Sequence, residues 1–181
     1  AVIWPAMHMA LGWPLPGQIY AHSFWISEGQ KMSKTLGNFI DLEKLDEYIS
    51  EFSLDSLRYY LVTQGPMGAS DADFSHQKYV DVYNADLANT VGNSFSRIAN
   101  MTKRYFDGKL PPKPTGQFPV KISELVNNYV VDFDALRLEG AISRGLGLVR
   151  NIDNYIEQRQ PFKLAKDMGH DVETQLLHYR Q

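Results

Sequence analysis

Lys31-Met32-Ser33-Lys34-Thr35-Leu36-Gly37-Asn38 decides how this chain is read. Two lysines three apart, hydroxyls at Ser33 and Thr35, and a following glycine make a compact cationic loop. Each ammonium is a point charge on a flexible stem, and charge-assisted hydrogen bonds to phosphate are about twice as strong as neutral ones. Gly37-Asn38 tolerates the backbone angles of a tight turn. A nucleotide phosphate suits such a loop; a solvated surface edge is the commoner fate of Lys-x-x-Lys alone. On its N-terminal side, residues 19–26 are rich in β-branched and aromatic residues and predict a short strand. It leads through Glu28-Gly29-Gln30 into the loop, the position an open α/β sheet gives its phosphate contacts.

Outward from the loop the pattern is helical. Residues 4–11 predict a short amphipathic helix entered through Pro5. Behind an Asp41 cap, Leu42, Leu45, Tyr48 and Ile49 recur at helical spacing. Ser53 caps a second predicted helix to Thr63, with Leu54, Leu57, Tyr60 and Leu61 inward and Asp55 and Arg58 placed to pair. Residues 65–71 read as a loop and domain boundary. A long helix is expected over 75–106, with Leu87, Val91, Phe95, Ile98, Met101 and Tyr105 tracing one face. The proline-rich stretch 110–116 is a linker. Helices are expected again over 121–131, 132–160 and 171–181. Gly140, Gly145 and Gly147 either weaken the second of these or permit close packing.

Of the 181 residues, 44% are hydrophobic and 22% charged, a soluble globular balance. The net charge of −3 advertises no general affinity for nucleic acid, so RNA contact must come from a local patch. There is no cysteine, which excludes disulfides and Cys-type zinc sites within these residues. No apolar run spans a bilayer. The start at Ala1, without methionine and mid-pattern, reads as a fragment.

Two further constellations carry chemistry. Asn93 and Arg97, four apart, share a helix face distinct from that of Val91, Phe95 and Ile98. An amide beside a guanidinium offers donors and acceptors to base edges; an ordinary solvated face is the alternative. Phe162, presented after Pro161 at a helix junction, is either a stacking platform for an unpaired base, worth ~1–3 kcal/mol, or a plug between helices. His8 and His22 read as packing histidines.

Taken together, the lysine loop, Trp4-Pro5-Ala6, Asp55-Ser56-Leu57-Arg58-Tyr59-Tyr60-Leu61, Asp73-Phe74-Ser75, Tyr83-Asn84-Ala85-Asp86-Leu87-Ala88-Asn89 and Pro161-Phe162-Lys163-Leu164-Ala165-Lys166 occur in order. This series resembles the C-terminal half of the methionyl-tRNA synthetases, a family of class I aminoacyl-tRNA synthetases. Thr35 stands where the family's signature loop usually has serine, and keeps the hydroxyl. The resemblance implies a mainly α chain: the end of a Rossmann-type α/β catalytic domain (1–28), an α+β connecting region with the lysine loop (29–74), and an all-α anticodon-binding bundle (75–181). It implies ATP-dependent activation of methionine and its transfer to tRNA(Met) in the cytoplasm. Lys34, Lys31 and Ser33 would be catalytic, and Lys34, Lys31 and Met32 would bind ATP, with Mg²⁺ accompanying the nucleotide and no zinc site. Asn93, Arg97 and Phe162 would bind the anticodon, Phe162 where the family usually has tryptophan.

The same resemblance implies inactivity of these residues alone, because the family's His-x-Gly-His signature is absent from them. A stand-alone RNA-binding helical module is the alternative function, and a helical interaction protein a third.

Overall fold

Short polar side chains set the helix starts. The Asp41 carboxylate accepts the Lys44 amide at 2.9 Å and opens α2 (Leu42–Phe52). Ser53 accepts the Ser56 amide at 3.3 Å and opens α3 (Leu54–Gln64). Each satisfies an amide that the first helical turn leaves without a partner. Ser53 has φ +116°, so one residue both ends α2 and starts α3. These features belong to a computed structural model that describes residues 2–68, 70–110 and 122–167.

Tyr48 of α2 and Leu57 and Tyr60 of α3 meet Phe74 and Tyr79 in an aromatic core. Ring centroids lie 4.7 Å apart for Tyr48–Tyr79, 4.9 Å for Tyr60–Tyr79 and 5.3 Å for Tyr60–Phe74. Such pairs add ~0.5–1.5 kcal/mol each beyond the area they bury. Leu54, expected inward, and Leu42, expected on the helical stripe, are exposed, because each is the first residue after its cap and lies beyond the packed face.

A three-stranded sheet floors this core in the order β2-β1-β3. β1 (Trp25–Ser27) pairs antiparallel with β2 (Gln30–Lys31), with Ile26 opposite Lys31, and parallel with β3 (Ala72–Phe74), with Ile26 opposite Asp73. The β1–β2 turn is Glu28-Gly29, both at positive φ (50° and 73°), which matches the twist of a two-residue hairpin. Asp73 accepts the Gly29 amide at 3.1 Å. The strand expected over 19–26 shrinks to β1, because residues 20–24 are held by other partners. Tyr20 donates to the Met67 carbonyl, the Ser23 amide to Pro66 at 3.1 Å, and the Phe24 amide and Ser23 hydroxyl to Asp71. The two bonds to Asp71 hold its carboxyl below its ordinary value, the Ser23 hydroxyl contributing most and the Phe24 amide next.

N-terminal to the sheet, α1 (Ile3–Ala10) buries none of its residues. His8 lies between the rings of Trp4 and Trp13 and faces the Pro14 carbonyl at 3.0 Å, a packing role.

After β3, Ser75 caps α4 (His76–Val82), which continues through a π-helical stretch (Tyr83–Gly92) into α5 (Asn93–Phe106). The π stretch interrupts the predicted common face. Its wider i→i+5 turns shift the stripe, so Phe95 is 75% exposed while Ser94 beside it is buried. The Asp107 residue ends α5 in the left-handed region. α6 (Ile122–Asp134) and α7 (Leu138–Arg159) form an antiparallel pair.

Their junction falls at 135–137 rather than before Asp132. Buried Asp132 receives Arg137 at 2.7 Å and Arg144 at 2.5 Å, and Leu136 takes φ +58° to close the turn. Gly140 faces Asp132, where a Cβ would lie 3.4 Å from the carboxylate; Gly145 and Gly147 meet nothing. α8 (Pro161–Asp167) follows Gln160, itself left-handed at φ +46°. The helix expected at 171–181 and most of the proline-rich linker lie outside the described residues.

The molecule is thus mainly helical around a small sheet. Among the described residues no helix is long and apolar enough to cross a membrane.

Candidate functional site

Two groups of the expected site residues occupy different elements. The lysine loop leaves β2 directly: Lys31 is its last residue and the chain turns at 33–37. The Leu36 amide donates to the Ser33 carbonyl at 3.2 Å and the Gly37 amide to that of Lys34 at 3.3 Å. Gly37, at φ +68°, supplies the left-handed position this turn needs. The hydroxyls of Ser33 and Thr35 lie 2.8 Å apart.

Asn38 ties the loop to the sheet. Its Oδ1 accepts the Ser33 amide at 2.8 Å, and its Nδ2 donates to the carbonyls of Lys31 at 3.2 Å and Ser27 at 3.3 Å. The sequence offered Asn38 only as a turn residue; its amide is the fastening.

Within the loop the side chains divide. Met32 is half-buried against the aromatic core and anchors it. Lys31 and Lys34 are exposed. The Lys34 ammonium lies 5.7 Å from the centroid of the Phe39 ring, a cation–π contact. Behind the loop a cleft is lined by Asn38, Phe39, Asp41, Lys44, Tyr48 and His76, among others. There the Tyr48 hydroxyl and His76 Nδ1 lie 3.0 Å apart. Burial first of all pushes the Tyr48 phenol above its ordinary value, so it stays protonated at neutral pH.

The second group sits on the helices. Asn93 opens α5 on an exposed face, and its amide donates to the Ala88 carbonyl of the last π turn. Arg97 is exposed yet engaged. Its Nη1 lies 3.4 Å from the Asp153 carboxylate and 3.8 Å from that of Glu157, both on α7. Exposed pairs of this kind are worth ~0–1 kcal/mol, weak enough to exchange for a ligand. Phe162, 48% exposed, follows Glu157 by five residues across the Gln160 bend, so α5 and the α7–α8 junction converge through Arg97. Asp153 and Glu157 were not singled out in the sequence. Arg150, Asp153 and Glu157 recur at helical spacing on one face of α7, and that periodicity is the signal that could have found them.

Among the described residues no group of three or more His, Cys, Asp or Glu is placed to hold a metal ion.

Comparisons with known proteins agree in one direction. The family model described as tRNA synthetases class I (M) matches residues 1–99, more than half of the chain. The methionine–tRNA ligase of Caldanaerobacter subterraneus subsp. tengcongensis is 38% identical over 175 residues, covering 92% of this chain and 26% of that protein. That of Listeria monocytogenes serotype 4b is 35% identical over 181 residues, covering 97% of this chain and 26% of its own length. Among solved structures, Mycobacterium tuberculosis methionyl-tRNA synthetase in complex with methionyl-adenylate superposes with a TM-score of 0.77 at 30% identity, over 99% of this chain and 34% of that one. The chain spans about a quarter of the length of the curated relatives it matches. With a fastened lysine loop at one end, a long helix carrying Asn93 and Arg97 beyond it, and a family model matched across both, this chain belongs to the class I tRNA synthetases (M).

Proposed function

We propose that these residues are the part of a methionine–tRNA ligase that supplies the lysine loop for ATP and the helical surface that reads the anticodon of tRNA(Met). In the whole enzyme, methionine's carboxylate attacks the α-phosphate of ATP, pyrophosphate leaves, and the methionyl group passes to tRNA, all in the cytoplasm. Residues 1–28 are the end of the Rossmann-type catalytic domain, 29–74 the connecting region and 75–181 the anticodon-binding bundle. The aromatic core takes Phe74 from before position 75 and Tyr79 from after it, so the last two regions share it.

The loop supports the reading most directly. Lys31 and Lys34 project from a turn fastened by Asn38, with Met32 anchoring the backbone. Lys34 stabilises negative charge developing on the phosphates, leaving the Phe39 ring to do so. Lys31 adds a second ammonium, Ser33 shapes the turn, and Met32 presents the loop to the nucleotide. Mg²⁺ travels with the phosphates and neutralises part of their charge. Removing one group aimed at transition-state charge typically costs ~10²–10³ in rate. Asn93 and Arg97 offer hydrogen bonds to anticodon base edges and Phe162 offers a stacking face, Arg97 exchanging Asp153 and Glu157 for RNA.

The test is a chimera in which residues 1–181 replace the matching stretch of the M. tuberculosis enzyme, assayed for methionine-dependent ATP–pyrophosphate exchange. The chimera should be active, and Lys34→Ala in it should lower exchange by ~10²–10³. A folded chimera indifferent to Lys34→Ala would contradict the assignment of the loop.

A further inference from the structure

The π-helical stretch and the residues that brace it have no part in the contacts assigned above. π-Helices are rare, mostly single turns, and concentrate at functional sites; this one runs from Tyr83 to Gly92 and ends immediately before Asn93. Asp86 lies in its first turn. The Asp86 Oδ2 accepts the Tyr59 hydroxyl of α3 at 2.9 Å, and Oδ1 lies 3.4 Å from Arg150 Nη2 of α7. At the far end the Thr90 hydroxyl donates to the Ala85 carbonyl at 2.9 Å, and a Cβ on Gly92 would stand 3.3 Å from the Leu87 carbonyl. Three helices therefore meet on one carboxylate, just upstream of the residues assigned to the anticodon.

The charges on α7 make the arrangement specific. Arg150, Asp153 and Glu157 share one face: the first donates to Asp86 and the other two pair with Arg97. The two crossings have opposite polarity. A slip of one turn would set Asp86 toward Asp153, or Arg97 toward Arg150, and like charges side by side are unfavourable. Burial and the bond to Asp86 both raise the Tyr59 phenol, so it remains a hydrogen-bond donor throughout the physiological range.

We propose that Asp86 is a positioning residue for anticodon reading: by locking the π stretch to Tyr59 and Arg150, it fixes the rotation and register at which Asn93 and Arg97 face the RNA. This rests on the bundle reading the anticodon. Asp86 itself touches no base. Asp86→Asn keeps an acceptor for Tyr59 but removes the charge that holds Arg150, so register should loosen while no lysine or arginine is altered.

The experiment titrates the full 181-residue chain and its variants with tRNA carrying a CAU anticodon and with the same tRNA altered at one anticodon base, over a series of salt concentrations. Wild type should prefer CAU. In Asp86→Asn the ratio of the two affinities should fall about tenfold, on the scale of coupling within one network, with the salt slope, which counts phosphate contacts, unchanged. Gly92→Ala should lower the ratio in the same sense. Equal weakening toward both tRNAs, or an unchanged ratio, would overturn the proposal. If Asp86→Asn unfolds by circular dichroism, Tyr59→Phe, which deletes only the donor to Oδ2, decides: a fall of about threefold supports the lock and no change overturns it. A wild-type chain that does not discriminate would bring down the anticodon reading itself, an outcome distinct from failure of the Asp86 lock alone.

Discussion

At Asn38 three hydrogen bonds meet, joining Ser33, Lys31 and Ser27 through one side-chain amide. Truncation to alanine removes all three and leaves the Ser33 amide without its acceptor. A hydrogen bond of this type contributes ~0.5–1.5 kcal/mol net. Asn38→Ala should therefore speed hydrogen exchange at the Ser33 amide by about tenfold or more, read by amide-exchange NMR, with exchange at Tyr60 unchanged. Equal protection in both proteins would show that the turn holds itself. Lys31, Lys34, Asn93 and Arg97 could be singled out in the sequence because each residue carries its charge or amide openly in the string. Asn38's partners were not legible: a side-chain amide finds carbonyls that only the folded hairpin brings within reach. Arg97 shows the same limit, since its carboxylates lie 56 and 60 positions away on α7.

At the scale of elements, caps and turns translate sequence most faithfully. Asp41 and Ser53 act where short polar side chains precede apolar periodicity. The π stretch had no such signature. Its Asn, Asp, Thr and Gly residues are merely weak helix formers, and the partners that Asp86 finds in Tyr59 and Arg150 arrive from other helices. The predicted face through Phe95 failed for that reason, as 3.6-residue counting cannot cross wider turns.

Two predictions belong at this scale. A Cβ on Gly65, at the end of α3, would stand 2.1 Å from the Leu61 carbonyl, a backbone atom that cannot swing away. Gly65→Ala should cost ~1–3 kcal/mol of stability in urea unfolding; an unaltered midpoint would contradict so close an approach of loop and helix. At the α6–α7 turn, Arg144 and then Arg137 hold the Asp132 carboxyl below its ordinary value of 3.8. A carboxyl more acidic when folded contributes stability that is fully present above the unfolded value and is lost as pH falls through the folded one. Melting below pH 4 should therefore depend less steeply on pH in Asp132→Asn than in wild type, while near pH 7 the variant melts lower. Parallel pH profiles would show that the two arginines do not hold that turn.

Over the whole molecule, the aromatic core unites the sheet, α2, α3 and α4, so the lysine loop and the start of the long helix share one foundation. Phe74, 3% exposed, touches Tyr48, Tyr60 and Trp25 at once. Phe74→Ala should cost ~3–5 kcal/mol, enough to unfold a marginal domain. That unity was only partly legible: helical periodicity marked Tyr48, Leu57 and Tyr60, but a three-residue strand is too short to announce that Phe74 closes the core. The N-terminal segment presents the opposite case, with Ile3, Trp4, Met7 and Trp13 exposed together. Exposed apolar side chains gathered in one short segment mark a candidate contact surface. Alone, these 181 residues should show no methionine-dependent ATP–pyrophosphate exchange.

The most direct measurement is the affinity of the chain for tRNA bearing CAU against the same tRNA with one anticodon base changed, at fixed salt because phosphate contacts make affinity salt-dependent. If Asn93, Arg97 and Phe162 read the anticodon, the base change should weaken binding by at least tenfold, and Arg97→Ala should erase the difference. Equal binding to both tRNAs by a folded chain would contradict anticodon recognition by these helices, returning Asn93 and Arg97 to an ordinary solvated face and Phe162 to a plug between helices.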